Sequence, residues 1–102
     1  MDSAPDLKDI KAKVGERFSS WFIPGLSDFV RVPNLSPMFD PEYFTNGRLE
    51  EAIECIDKYA KMLEIEGLKR EIVKIADDKP PLVLYIIEGE GKNTMLYAHL
   101  DK

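Results

Sequence analysis

The residues with the most chemistry to offer stand together in TMLYAHLDK, positions 94–102. His99 is the single histidine of the sequence, and Asp101 follows it two positions on. In a strand over 94–101, alternate residues share a face, so both side chains would project from one side at the strand's C-terminal mouth. Active sites of α/β folds gather at such mouths. A neutral imidazole offers a nitrogen lone pair to zinc or another transition metal. A carboxylate two residues away can bind metal, hold a neighbouring group in orientation, or tune an acid–base group through its charge. The plainer reading of the triplet is a strand-end histidine bonded to backbone, with Asp101 opening a turn. A catalytic zinc takes about three protein ligands, so these residues supply only part of a set. Asp77, Asp78, Glu88 and Glu90 fall in expected turns. Cys55 flanks an apolar helical stripe and reads as a core thiol, because no second histidine exists to activate it.

The elements that must position this pair follow from hydrophobic spacing. Leu7, Ile10, Val14, Phe18 and Trp21 recur at helical spacing and predict a helix over about 4–22, with Ser3 and Asp6 as a capping pair and Pro5 in the first turn. Pro24 and Gly25 interrupt that pattern, and a short helical continuation over 26–30 follows. Pro33, Pro37 and Pro41 exclude a long regular element between 31 and 46. That stretch is apolar for a loop, with Leu35, Met38, Phe39, Tyr43 and Phe44, and is expected to pack down.

Leu49, Ala52, Ile53, Ile56, Tyr59, Ala60 and Leu63 predict a second helix over about 47–66, capped by Thr45 or Asn46 and stopped by Gly67. Glu54 with Lys58 and Asp57 with Lys61 are spaced for exposed ion pairs. Three strands should follow. Residues 68–76 are charged enough for a sheet edge, and 82–88 are apolar on both faces and read as central. Residues 94–101 return as the hairpin partner after the two-glycine turn at 88–93. Helices ahead of a doubly covered sheet predict an α/β fold: N-terminal helices followed by the first strands of a mixed sheet, in one partial domain over 1–102. A central strand needs helices on both faces and strands at both edges. These parts do not supply them, so the expectation is the opening portion of a larger layered domain.

Composition narrows the class. The sequence is 44% hydrophobic and 32% charged, an ordinary globular balance. A net charge of -5 argues against a nucleic-acid partner, which needs a basic face. The longest apolar run, 82–87, is six residues, against the roughly 20 of a membrane helix. The start, MDSAPDLKD, lacks the basic, apolar and Arg-rich signals of secretion or organelle import, and one cysteine cannot form an internal disulfide. A cytoplasmic location is the expectation.

The stretch MLYAHLD at 95–101, preceded by an apolar strand and a glycine-containing turn, resembles the first zinc-ligand segment of the dinuclear-zinc exopeptidases. That family includes cytosolic dipeptidases, aminoacylases and glutamate carboxypeptidases. FVRVPNLS at 29–36 resembles the helix-end segment near the family's N-terminus, and the helix over 49–63 and the strand from Leu68 come in the family's order. The resemblance covers about 18–102. It implies a three-layer α/β/α zinc-peptidase catalytic domain, with His99 a ligand of one zinc and Asp101 the catalytic carboxylate that orients or polarises active-site groups.

The complete enzyme would use two zinc ions and a glutamate base to hydrolyse the amide bond of dipeptides or short peptides, and it could be a homodimer. The bridging carboxylate, the paired glutamates and the later ligands lie downstream of this motif, so the segment alone is expected to be inactive. Ala98 stands where the family commonly has glycine, and Lys102 where it has a small apolar residue. A reading from another class is a non-catalytic binding or assembly module that uses the start of the same fold. A third is an inactive relative kept for heterodimer assembly.

Overall fold

A computed structural model of the chain describes residues 4–102. The first helix, α1 (Leu7–Arg17), starts where the Asp6 carboxylate accepts the Lys8 N–H at 2.9 Å, satisfying one of the first turn's orphan donors. Ser3, the other half of the expected cap, lies outside the described residues. The helix does not break at Pro24. It widens into a π turn (Phe18–Phe22) and continues as α2 (Ile23–Arg31).

Proline lacks an N–H and its ring crowds the carbonyl one turn back. The π turn opens the helix just before it, with the Ile23 N–H reaching the Phe18 carbonyl. Ser20 loosens the same turn by donating its hydroxyl to the Glu16 carbonyl at 2.9 Å. The expected apolar stripe of α1 does not become core, since Leu7 and Val14 stay exposed. Trp21 is the member that ties the helix to the body, donating its indole N–H to the Tyr59 carbonyl at 2.7 Å.

The body is built on α3 (Arg48–Met62). Its N-cap is Gly47, at a left-handed φ of 75°, and the Asn46 side chain accepts the Arg48 N–H at 3.0 Å. The helix ends four residues short of position 66, because Leu63 and Glu64 turn back onto the Ala60 and Lys61 carbonyls, with Glu64 at φ 49°. The left-handed stop thus falls before Gly67. Gly25 lets α2 approach α3, since a Cβ there would lie 3.0 Å from the Tyr59 ring. The Tyr59 hydroxyl donates to Asp28 and locks the crossing.

Val32, Tyr43, Leu49, Ala52 and Ile53 form the small core, and Val83 and Leu100 pack against it. Part of the proline-rich segment does pack down, while Met38 and Phe39 remain outside.

Two strands, β1 (Leu68–Val73) and β2 (Leu82–Ile87), pair antiparallel from Leu68 opposite Ile87 to Val73 opposite Leu82. Asp57 joins them to α3, pairing with Arg70 at 2.7 Å and accepting the Tyr85 hydroxyl, where helical spacing had pointed to Lys61. The third strand expected over 94–101 does not form. Residues 89–99 make no backbone–backbone hydrogen bond among the described residues, and Met95, Leu96 and Tyr97 are 90%, 93% and 87% exposed. A strand that is apolar on both faces gains from pairing when layers cover those faces, and no layer covers this one. β2, expected at the centre, is therefore an edge strand like β1.

The architecture is mixed α/β at the coarse level, and it is open. The radius of gyration is 16.6 Å, against about 13 Å for a compact domain of this length. The accessible surface is 8854 Å², against about 5,900 Å² for a compact monomer of this mass.

Candidate functional site

His99 and Asp101 come together as their spacing suggested, although the strand meant to present them is absent. His99 Nδ1 lies 3.0 Å from Asp101 Oδ1 and 3.1 Å from the Asp101 carbonyl oxygen. The imidazole is 73% exposed and the carboxylate 34%. With Nδ1 held by the carboxylate, a neutral ring carries its proton there and leaves the Nε2 lone pair available to a metal. This is the arrangement in which a carboxylate fixes the tautomer of a metal-binding histidine.

The pair is fixed from its C-terminal side. Lys102 donates its N–H to the Asn34 carbonyl at 3.0 Å and accepts the Ser36 N–H at 2.9 Å, straddling Leu35 in the manner of a parallel β-bridge. Asn34, 1% exposed, donates its side-chain amide to the Leu100 carbonyl at 2.9 Å. The Lys102 ammonium ends on the Phe29 carbonyl at 2.6 Å, the Val32 carbonyl and Asn34 Oδ1, and lies 4.1 Å from the centre of the Phe29 ring. The carbonyls at the end of α2 carry the negative pole of the helix, so a cation there is favourably placed. Burial draws the Lys102 pKa below its ordinary value, an effect opposed by the three oxygens, which favour the ammonium.

Beside this anchor, burial raises the Tyr43 pKa, and the Asp101 and Glu50 charges raise it further. Cys55 is half-buried, and burial pushes its thiol pKa up, away from a nucleophile's thiolate. It lines an apolar cleft of about 380 Å³ between α2, α3 and the sheet, with Trp21, Phe29, Tyr59 and Leu63 on its walls and His99 among its lining residues. Tyr85, on the same cleft, is shifted strongly upward by burial and by its bond to Asp57.

Among the described residues, no group of three or more His, Cys, Asp and Glu side chains could hold a metal ion. The donor chemistry of His99 and Asp101 fits one ligand of a zinc site with its supporting carboxylate. Sequence reasoning passed over Asn34. Its only signal was a polar residue inside the helix-end stretch FVRVPNLS. It recorded Lys102 as a departure from a family pattern without giving the ammonium a task.

No protein-family model matches this sequence, and no curated protein matches it. Among the described residues, no helix is long and apolar enough to cross a membrane.

Proposed function

We propose that the chain is the N-terminal part of a zinc-dependent metallopeptidase, acting in the cytoplasm on the amide bond of dipeptides or short peptides, and inactive as an isolated segment. The observation that carries this reading is the His99 Nδ1 contact with Asp101 Oδ1 at 3.0 Å, which frees Nε2 for a metal. His99 would hold one zinc through Nε2, and Asp101 would keep the ring's tautomer and orientation. Zinc, when bound, polarises the scissile carbonyl and acidifies water. The other ligands and the general base would come from outside residues 4–102.

The surface in excess of a compact monomer, roughly 3,000 Å², supports a segment covered by further layers of its own domain. The same surface favours a second reading, a non-catalytic assembly module whose exposed apolar residues at 95–97 are covered by a partner.

Two measurements separate them. The first reading expects the longer protein carrying this segment to hydrolyse dipeptides and to lose that activity on chelation. Hydrolysis that persists in chelator rejects it. Size-exclusion and unfolding measurements on the 102-residue chain add a second arm. A cooperative monomer indifferent to metal favours the module, and a molten or aggregating chain favours the segment.

A further inference from the structure

Residues 89–99 make no backbone–backbone hydrogen bond among the described residues, so no such bond on the N-terminal side of His99 sets the height of the imidazole. The fixed points lie after it: Leu100 through its carbonyl, and Lys102 through its N–H, its carbonyl and its ammonium. All of them converge on residues 29–36, with the buried Asn34 at the centre giving one amide bond to Leu100 and accepting one from Lys102. We propose that Lys102 and Asn34 form a latch that positions the His99–Asp101 pair, seating it at the C-terminal end of α2 where the Phe29 and Val32 carbonyls receive the ammonium.

The chemistry suits a latch. An ammonium has three donors, and here it meets three oxygens with the Phe29 ring closing its remaining side. A small apolar residue at 102 would leave the Phe29 and Val32 carbonyls and Asn34 Oδ1 without this donor. The buried amide of Asn34 would then be half satisfied, which loosens the Leu100 carbonyl as well. Lys102 therefore acts through Asp101 and Leu100 on the ring of His99, as a positioning residue that touches no substrate. This inference rests on His99 and Asp101 being the functional pair, though the latch itself can be tested without metal.

The test uses the folded protein that carries residues 1–102, labelled with ¹⁵N in histidine and backbone, comparing wild type with Lys102→Met, Lys102→Arg and Asn34→Asp. Two readouts are followed: exchange of the Ser36 and Lys102 amides, and the ¹⁵N shifts of the His99 ring, which report whether Nδ1 keeps its carboxylate partner. Lys102→Met should speed Ser36 exchange by at least about tenfold, the factor expected for losing a charge-assisted hydrogen bond. It should also move the His99 Nδ1 shift toward that of a free imidazole, with the amides of α3 unchanged. Lys102→Arg, which keeps the cation, should restore much of both signals. Asn34→Asp should keep an oxygen acceptor for the Lys102 ammonium and spare Ser36, while loss of the amide donor disturbs Leu100.

A His99 ring that does not respond in Lys102→Met while Ser36 exchange rises would overturn the proposal, leaving Lys102 a helix cap alone. Should Lys102→Met fail to fold, a His99 ring in Lys102→Arg identical to wild type supports the latch, and loss of the Nδ1 signature despite the retained cation overturns it. Adding Zn²⁺ to the wild type keeps the two ideas apart. In the longer protein, where the remaining ligands would lie, a His99 Nε2 that ignores zinc counts against the metal reading and leaves the latch standing.

Discussion

Residues 94–97 and 100–101 were expected to lie in one strand that ends just before Lys102, yet the structure treats 94–97 and 100–102 in opposite ways. The first group carries three large apolar side chains at roughly nine-tenths exposure. The second is tied down by backbone, amide and ammonium contacts to the segment after α2. The difference teaches that local sequence does not anchor this stretch. A neighbour with unsatisfied polar groups does, and residues 100–102 have one in Asn34 and the open end of α2. Residues 94–97 have only apolar side chains to offer, and the covering layers that would make those favourable are missing from around them.

Breaking the anchored side should produce the largest effects. Ile53→Ala, in the Tyr43–Leu49–Ile53 cluster that receives Leu100, should cost about 2–5 kcal/mol of stability by transfer and cavity terms. The urea midpoint measures it, and a change no larger than that of a surface variant would show that the cluster is not a core. Asn34→Ala comes next. Removing a fully buried amide that serves both Leu100 and Lys102 should cost about 1–3 kcal/mol and raise Ser36 amide exchange. The loose side sharpens the contrast: Leu96→Lys should change the stability of this chain by less than about 0.5 kcal/mol, as an exposed site does. In a longer protein whose other layers cover residue 96, the same substitution should be severe, because it buries a charge.

The smallest effect is electrostatic. The Tyr59 hydroxyl holds the Asp28 carboxyl below its ordinary value, with Lys58 and Arg31 adding to it and desolvation partly offsetting it. A carboxyl with a lowered native pKa contributes stability that is present above its unfolded pKa, about 4, and is lost as pH falls through the native value. Wild type should therefore lose stability below about pH 4 slightly faster than Asp28→Asn does. Parallel acid-unfolding curves would remove Asp28 from the account.

The elements most readable in the sequence were those with periodic apolar residues and local stops. The stripe from Leu49 to Leu63 marked α3, the charged run from Leu68 marked β1 as a sheet edge, and the apolar run at 82–87 marked β2. The continuous helix through Pro24 was not readable, because the π turn that absorbs the proline depends on Ser20 and on Trp21 docking to Tyr59 across the fold. Asp57 was misassigned for a similar reason. Its spacing to Lys61 is local, and its bonds to Arg70 and Tyr85 depend on the strands packing against α3. Of the candidate site, the adjacency of His99 and Asp101 was legible from two-residue spacing alone. What holds that pair was not, because Asn34 lies 66 residues from its partner Leu100.

The proposed role of His99 as a metal ligand steadied by Asp101 is tested most directly by the zinc content and dipeptide hydrolysis of the longer protein in wild type, His99→Ala and Asp101→Asn. The predicted result is that His99→Ala loses zinc and activity by about 100-fold or more, while Asp101→Asn weakens zinc affinity by about 10–100-fold. Full zinc content and full hydrolysis in His99→Ala would contradict it.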